Sequence, residues 1–234
     1  MDKPDFDPIL EIARRWEERA AEHDRRMETD AEYRVAHEAK ERAAAAEKLK
    51  AERAERVSAL RLMLRTGQFP ERAIEPALLN SQRETLAMGH VRRFAAQDSR
   101  SLLVLAGGVG SGKTTAAAWL AAHLGKRSEF IRAAHLESAG RYDKELRQRW
   151  MDARLLVVDD LGAEYADSKG NFLVELDELM DFYYGNRRVL VVTTNLSISE
   201  FKNRYGGDSG RIASRIRESG VWGDCGAVDL RRAS

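Results

Sequence analysis

The 234-residue chain has a single cysteine, Cys225, so it can build neither a disulfide framework nor a multi-cysteine zinc site, and a reducing compartment is expected. No apolar run approaches the roughly 18 residues that would cross a bilayer. The acidic start Met1-Asp2-Lys3-Pro4-Asp5 lacks the apolar stretch of a secretion signal. Neither sign of charge dominates. Lys and Arg number 39 against 38 Asp and Glu, a net charge of +1, which excludes coating of nucleic acid by bulk charge and leaves only local basic patches. A soluble cytoplasmic protein with no membrane partner is expected. Glycine is missing from the start of the chain: none precedes Gly67 and all 17 follow from there, whereas the four prolines lie at or before Pro76. This asymmetry places a boundary near residues 66–70, between an arm (1–66) and a main domain (67–234).

Strong helix formers fill the arm. Asp7-Pro8 reads as a helix start, with proline at the first helical position. Its apolar pattern is thin: Ile9, Ile12 and Trp16 form one short stripe, Val57, Leu60 and Leu64 another, and only alanine is available around Ala43 to Ala46. As one helix it would run about 85 Å at about 1.5 Å per residue; it could equally fold back as a hairpin. The arm reads either as a solvated helix or as a partner-docking helix that uses its Trp16 end.

Beyond residue 100 the pattern changes. Ser101–Ala106, Glu129–Ala133, Arg154–Asp159, Arg188–Thr194 and Gly226–Leu230 read as strands, separated by helical stretches around 113–124, 136–152, 172–184 and 210–218. Strands alternating with helices predict an α/β fold, a parallel five-stranded sheet flanked by helices. Trp119 and Trp150 read as core, Cys225 as a buried thiol, and the histidines (His23, His37, His90, His123, His135) lack metal-ligand spacing. Arg141, Lys144, Arg147 and Arg149 fall on one predicted helix, either a solvated face or a DNA contact.

Gly107-Gly108-Val109-Gly110-Ser111-Gly112-Lys113-Thr114 matches G-x-x-x-x-G-K-[ST] and lies between an apolar strand and a helix, the context that confirms a phosphate-binding loop. Glycines let backbone N–H groups close on phosphates without Cβ clashes, and the helix N-terminus adds positive potential. Lys113 is suited to the outer phosphates and the Thr114 hydroxyl to Mg²⁺, with Thr115 completing the ATP-binding stretch. Leu155-Leu156-Val157-Val158-Asp159-Asp160 is a buried strand that ends in two carboxylates, a costly arrangement without a function. Asp159 suits a Mg²⁺ ligand, and Asp160 a group that orients the attacking water. Thr193-Thr194-Asn195 ends another strand, where Asn195 could stand near the γ-phosphate. Arg211 and Arg215, four apart on a predicted helix, share a face. That face is either solvated or able to reach a neighbouring subunit's nucleotide.

In this order, Gly108 to Thr114, Leu155 to Gly162 with Ala163-Glu164, Thr193 to Ser197 and Arg211 to Arg215 resemble the DnaC-type helicase-loader ATPases, a group that includes the IstB-type transposition helpers. Gly67-Gln68-Phe69-Pro70-Glu71-Arg72 is similar to the stretch that precedes the ATPase core of that family. Gly226 to Arg231 looks like its last strand. The resemblance spans residues 66–231. It implies an AAA+ fold without a C-terminal lid and Mg-ATP hydrolysis at a self-associating subunit interface. It also implies assembly on single-stranded DNA or a partner ATPase. The first reading is therefore an ATPase that loads a hexameric replicative helicase onto single-stranded DNA, with the arm, which the resemblance does not cover, docking on the helicase. Carried over, Asp159 is the metal-site acid, Asp160 the catalytic acid, Asn195 the sensor, and Arg215 the trans-acting finger with Arg211 beside it. Asp160 stands where many AAA+ proteins have Glu. Two other readings remain: a transposition helper that coats DNA and recruits a transposase, and an adaptor that uses ATP only to assemble.

Overall fold

The computed structural model describes residues 8–79, 84–97, 101–136, 143–163, 171–205 and 211–230. Two compact units divide the chain, Met1–Arg56 and Val57–Ser234.

In the first unit, α1 (Pro8–Thr29) is followed by the start of α2 (Ala31–Thr66). Asp30 makes the turn between them. Its N–H donates to Arg26 O at 2.9 Å, closing α1, and its Oδ1 accepts the Tyr33 N–H at 3.0 Å, capping α2. Around this turn His23 Nδ1 lies 3.0 Å from Tyr33 Oη, the Arg26 guanidinium sits 4.0 Å above the Tyr33 ring, and the His23 and His37 rings are 4.6 Å apart. On one straight helix residues ten apart would be separated by about 15 Å, so the arm bends here. Asp7, read from sequence as the cap of α1, lies outside the described residues. Ile12 and Trp16 are exposed, Trp16 at 72 %.

In the second unit the last turns of α2 lead into α3 (Glu71–Leu78) and α4 (Leu86–Ala95). There follow β1 (Leu102–Ala106), α5 (Lys113–Leu124), β2 (Ser128–Arg132), α6 (Lys144–Asp152) and β3 (Leu155–Leu161). The chain continues through α7 (Asn171–Gly185), β4 (Val189–Thr194), α8 (Ile198–Tyr205), α9 (Arg211–Ser219) and β5 (Gly220–Asp224). The five strands pair in parallel in the order β2-β3-β4-β1-β5.

Alternation along the strands builds two apolar layers. Leu103, Leu105, Leu155, Val157 and Val191 face α5, α3, α4 and Leu64 of α2. Leu102, Val104, Leu156, Val158, Leu190 and Val192 face Trp150 of α6, Leu176, Leu179 and Tyr183 of α7, and Phe201 of α8. Each such side chain, fully buried, contributes about 1.5–3 kcal/mol relative to exposure. Alanines 116, 117, 118, 121 and 122 are all buried on α5, letting that helix lie close to the sheet.

Some expectations are corrected. The last strand is Gly220–Asp224, paired with β1 from Leu102↔Gly220 to Ala106↔Asp224, and Gly226–Leu230 is not a strand. The alternating apolar residues after Gly226 resemble a strand, but β1 takes the preceding Val-Trp segment as its partner. Gly223 fits there because a Cβ would come within 2.7 Å of the His90 ring. Trp119 is half-buried at the rim of the first apolar layer, packed against it and stacked on His123, whereas Trp150 is fully buried in the second. Two members of the basic helix face are committed within the protein, while Lys144 is exposed. Arg147 binds Glu175 and Glu178 of α7, and Arg149 binds the buried Glu129 of β2 at 2.7 Å. Arg141 lies outside the described residues.

The end of α2 is tied to the β2 edge of the sheet. The Phe130 N–H donates to Gly67 O at 2.8 Å, Arg149 donates to Thr66 O at 2.6 Å, and the rings of Phe69 and Phe130 are 5.4 Å apart. A Cβ on Gly67 would lie 2.0 Å from Ser128 O. Gly67→Ala is therefore expected to push this junction off the sheet and cost about 2 kcal/mol or more, read as a lowered urea midpoint. An unchanged midpoint would show that the junction yields freely.

Candidate functional site

β1 delivers the chain into a loop, Gly107 to Gly112, that must turn sharply to start α5. Gly110 and Gly112 take φ of 81° and 87°, a left-handed region that costs side chains dearly, so glycine is required there. Lys113, the first residue of α5, is 6 % exposed. Its Nζ donates to Gly107 O at 2.7 Å, Gly108 O at 2.8 Å and Asn195 Oδ1 at 3.0 Å, with Ser111 Oγ at 3.4 Å. One ammonium thus joins the loop to the end of β4.

Next along α5, Thr114 Oγ1 donates to Asp159 Oδ1 at 3.0 Å, and Thr193 Oγ1 donates to the same oxygen at 2.7 Å. Asp159 is only 1 % exposed. Burial pushes its carboxyl above the usual aspartate range. The Thr193 hydroxyl opposes this, the Asp160 charge adds to it, and the Thr114 hydroxyl and Lys113 charge oppose it. Thr114 Oγ1 aims its proton at Asp159 and so keeps lone pairs for a hard cation. The resulting donor set is all oxygen, which fits Mg²⁺.

Asp160 takes φ of 59°, the left-handed region that Asp and Asn tolerate better than most other side chains. Its N–H donates to Thr193 Oγ1 at 3.0 Å. Next to it the Thr194 hydroxyl donates to Leu161 O at 2.6 Å and accepts the Leu196 N–H at 3.1 Å. The sheet end therefore carries Lys113, Thr114, Asp159, Asp160 and Asn195 in one connected group.

Three features went unread in the sequence. Thr193 and Thr194 are both fully buried, and their hydroxyls organise the acids and the strand exit; a Thr-Thr pair also suits any β-strand, so no local signal marks them. The segment Cys225–Leu230 lies against the loop: Gly226 O accepts the Gly108 N–H at 2.8 Å and the Leu230 N–H donates to Gly110 O at 3.1 Å. A Cβ on Gly107 would meet Gly226 O at 2.6 Å, so this close approach also needs glycine. Two loop amides are committed to the fold, Gly107 N–H to Thr194 O at 3.1 Å and Gly108 N–H to Gly226 O. Burial in this segment pushes the Cys225 thiol up to about 11, partly offset by Lys113.

The remaining predicted residues are spread out. Val109 projects from the loop at 62 % exposure, and Thr115 is half-buried on α5. Arg215 on α9 binds Asp181 of α7 at 2.7 Å, lies 5.2 Å from the Tyr184 ring, and leaves 33 % of its side chain exposed. Arg211 begins α9, its side chain lying outside the described set, as do Glu164 and Arg231.

No curated protein sequence matches the chain. Among solved structures it is similar to the DnaC helicase loader, with a TM-score of 0.55 at 19 % identity, covering 67 % of this chain and 99 % of that one. It is also similar to DnaI (TM-score 0.49, 18 % identity, 64 % of this chain and 87 % of that one). A third is AMPPCP-bound DnaA from Aquifex aeolicus, with a TM-score of 0.49 at 18 % identity. There the match covers 60 % of this chain and 45 % of the other, so the chain spans less than half of that DnaA. The first of these likenesses shows the fold, a DnaC-like AAA+ core. No helix among the described residues is long and apolar enough to cross a membrane. Residues 11–216 match the family described as IstB-like ATP binding protein, so the chain belongs to that DnaC/IstB-type family of AAA+ ATPases.

Proposed function

We propose that the protein hydrolyses Mg-ATP and uses it to load a replicative helicase onto single-stranded DNA. The observation that carries the ATPase part is the connected group at the sheet end, where Lys113 touches Asn195 and Thr114 touches Asp159.

In this reading the loop and the start of α5 bind the phosphates, and the Lys113 ammonium exchanges its loop carbonyls for phosphate oxygens. Thr114 and Asp159 hold Mg²⁺, which supplies charge neutralisation on those oxygens. Asp160 accepts a hydrogen bond from the attacking water and orients it, and Asn195 reads the outer phosphate. Arg215 serves the nucleotide of a neighbouring copy, which requires it to leave Asp181 or to swing while still bound to it.

Loading is supported by the arm, residues 1–66, whose Ile12 and Trp16 stand exposed among charged neighbours. Apolar side chains on such a helix suit a partner's groove. A second reading, in which the partner is a transposase, is equally consistent with the family's description as IstB-like ATP binding proteins.

Lys113→Ala is expected to abolish ATP binding in equilibrium dialysis, and retained affinity would refute the phosphate loop. Asp160→Asn keeps the left-handed backbone, because Asn also tolerates it. It should bind ATP normally yet release little phosphate, and full turnover would remove Asp160 from the mechanism.

Mixing Arg215→Ala subunits with Lys113→Ala subunits should restore phosphate release if the arginine acts across an interface. No recovery at any ratio, with assembly intact, would refute a shared site.

The partner is tested by mass measurement of mixtures with the host replicative helicase, ATP and Mg²⁺. A complex lost on deleting residues 1–56, a cut that spares the second unit with its buried Leu64, would establish the loader and the arm's role. No complex with the full chain would shift the assignment to the transposase partner.

A further inference from the structure

We propose that Thr193 is a positioning residue for ATP hydrolysis, its one hydroxyl setting both the Asp159 carboxylate and the Asp160 backbone. This rests on reading the site as an ATPase centre.

Thr193 lies on β4 with none of its surface exposed. Its Oγ1 is 2.7 Å from Asp159 Oδ1 and 3.0 Å from the Asp160 nitrogen. The direction of both bonds is fixed. An amide can only donate, and an ionised carboxylate can only accept, so the hydroxyl gives its proton to Asp159 and takes the Asp160 N–H on a lone pair. Among the described residues the only other hydroxyl on Asp159 is that of Thr114, at 3.0 Å. Thr114 is the residue a bound ion would engage; Thr193 is the donor that stays behind the carboxylate whatever binds in front of it.

The sheet explains why a side chain is needed there. β3 and β4 run in register from Leu155↔Val189 to Val158↔Val192 and resume at Leu161↔Thr194. Two residues of β3, Asp159 and Asp160, therefore stand against Thr193 alone, a β-bulge. The bulge turns Asp160 to φ 59° and takes its N–H out of the regular ladder. A buried N–H without a partner is costly, and the Thr193 hydroxyl supplies the acceptor. Thr194 performs the neighbouring repair, on Leu161 O and the Leu196 N–H, but makes no such bond to either acid. Thr193 is thus the point at which the metal-site acid and the water-orienting acid are held at a fixed offset. Partners behind a metal ligand are known to set its orientation and affinity.

Substitution separates this role from packing. Thr193→Val keeps the volume and removes the hydroxyl; Thr193→Ser keeps the hydroxyl and removes a methyl. If Thr193 positions the acids, Thr193→Val lowers kcat on the order of a hundredfold with little change in affinity for a fluorescent ATP analogue measured without Mg²⁺. The Mg²⁺ concentration that half-saturates Mg²⁺-dependent binding of that analogue should rise by roughly tenfold or more. Thr193→Ser should restore both values. The opposite order, with valine active and serine impaired, means packing alone and overturns the proposal, as does a valine variant equal to wild type. If Thr193→Val fails to fold by circular dichroism, Thr193→Ala against Thr193→Ser makes the same comparison, and equal kcat and equal Mg²⁺ dependence in those two overturns it. Wild-type protein that binds the analogue but releases no phosphate refutes the ATPase reading and this inference together. Active wild type with an indifferent Thr193→Val refutes the inference alone.

Discussion

A carboxylate with 1 % of its surface exposed has lost its water, and Asp159 remains tolerable there only because protein groups replace that water. Two hydroxyls converge on one of its oxygens, from the first turn of α5 and from β4, while the Lys113 ammonium supplies opposite charge nearby. Each of these constrains something larger. Thr114 can reach Asp159 only if α5 begins where Gly112 lets it begin. Thr193 can reach it only if β3 bulges against β4. The loop, the helix start and the strand irregularity are three solutions to one electrostatic problem.

What was legible in the sequence was what is local. The phosphate loop is contiguous, its glycines answer to backbone angles, and strong apolar strands bracket the acids, so β1, β3, β4 and α5 fall close to where pattern reading puts them. Strand β5 was missed because Gly220-Val221-Trp222-Gly223-Asp224 has too few apolar residues to look like a strand, and pairing with β1 decides it. Helix α8 was missed because Ile198–Tyr205 is short and buries only Phe201 and Tyr205. Among the site residues, the pairing of Lys113 with Asn195 joins positions 82 apart, and no spacing rule reports it. The handedness of Asp160 is likewise invisible in a string, yet it gives a reason for aspartate at that position: a longer acid would carry the same charge on a backbone it tolerates less well.

The balanced charge of the chain also acquires a physical meaning. Arginines that look available on a helical wheel are committed across elements: Arg149 to Glu129, Arg147 to α7, and Arg61 and Arg65 to Glu75 and Glu71 of α3. The Arg61 and Arg65 pairs lower the carboxyl groups of Glu75 and Glu71 through direct hydrogen bonds. Such pairs orient the end of α2 on α3 and the sheet edge, so charge in this unit works as joinery between helices more than as an outward field. The exposed apolar residues of the arm, by contrast, lie in a unit where the described ion pairs are mostly one-turn contacts along a single helix.

The bond between Gly226 O and the Gly108 N–H has a consequence in time. β1 and its loop emerge from the ribosome early in the second unit, but the strand that covers the outer edge of β1, and the strap that closes on the loop, are the last described segments to be made. During synthesis the loop must wait with its glycines unsupported, however well the rest of the sheet has formed. Nucleotide binding in its final geometry thus requires a chain made through Leu230, and a nascent or clipped one that stops before Gly226 would present the motif without the means to hold its shape.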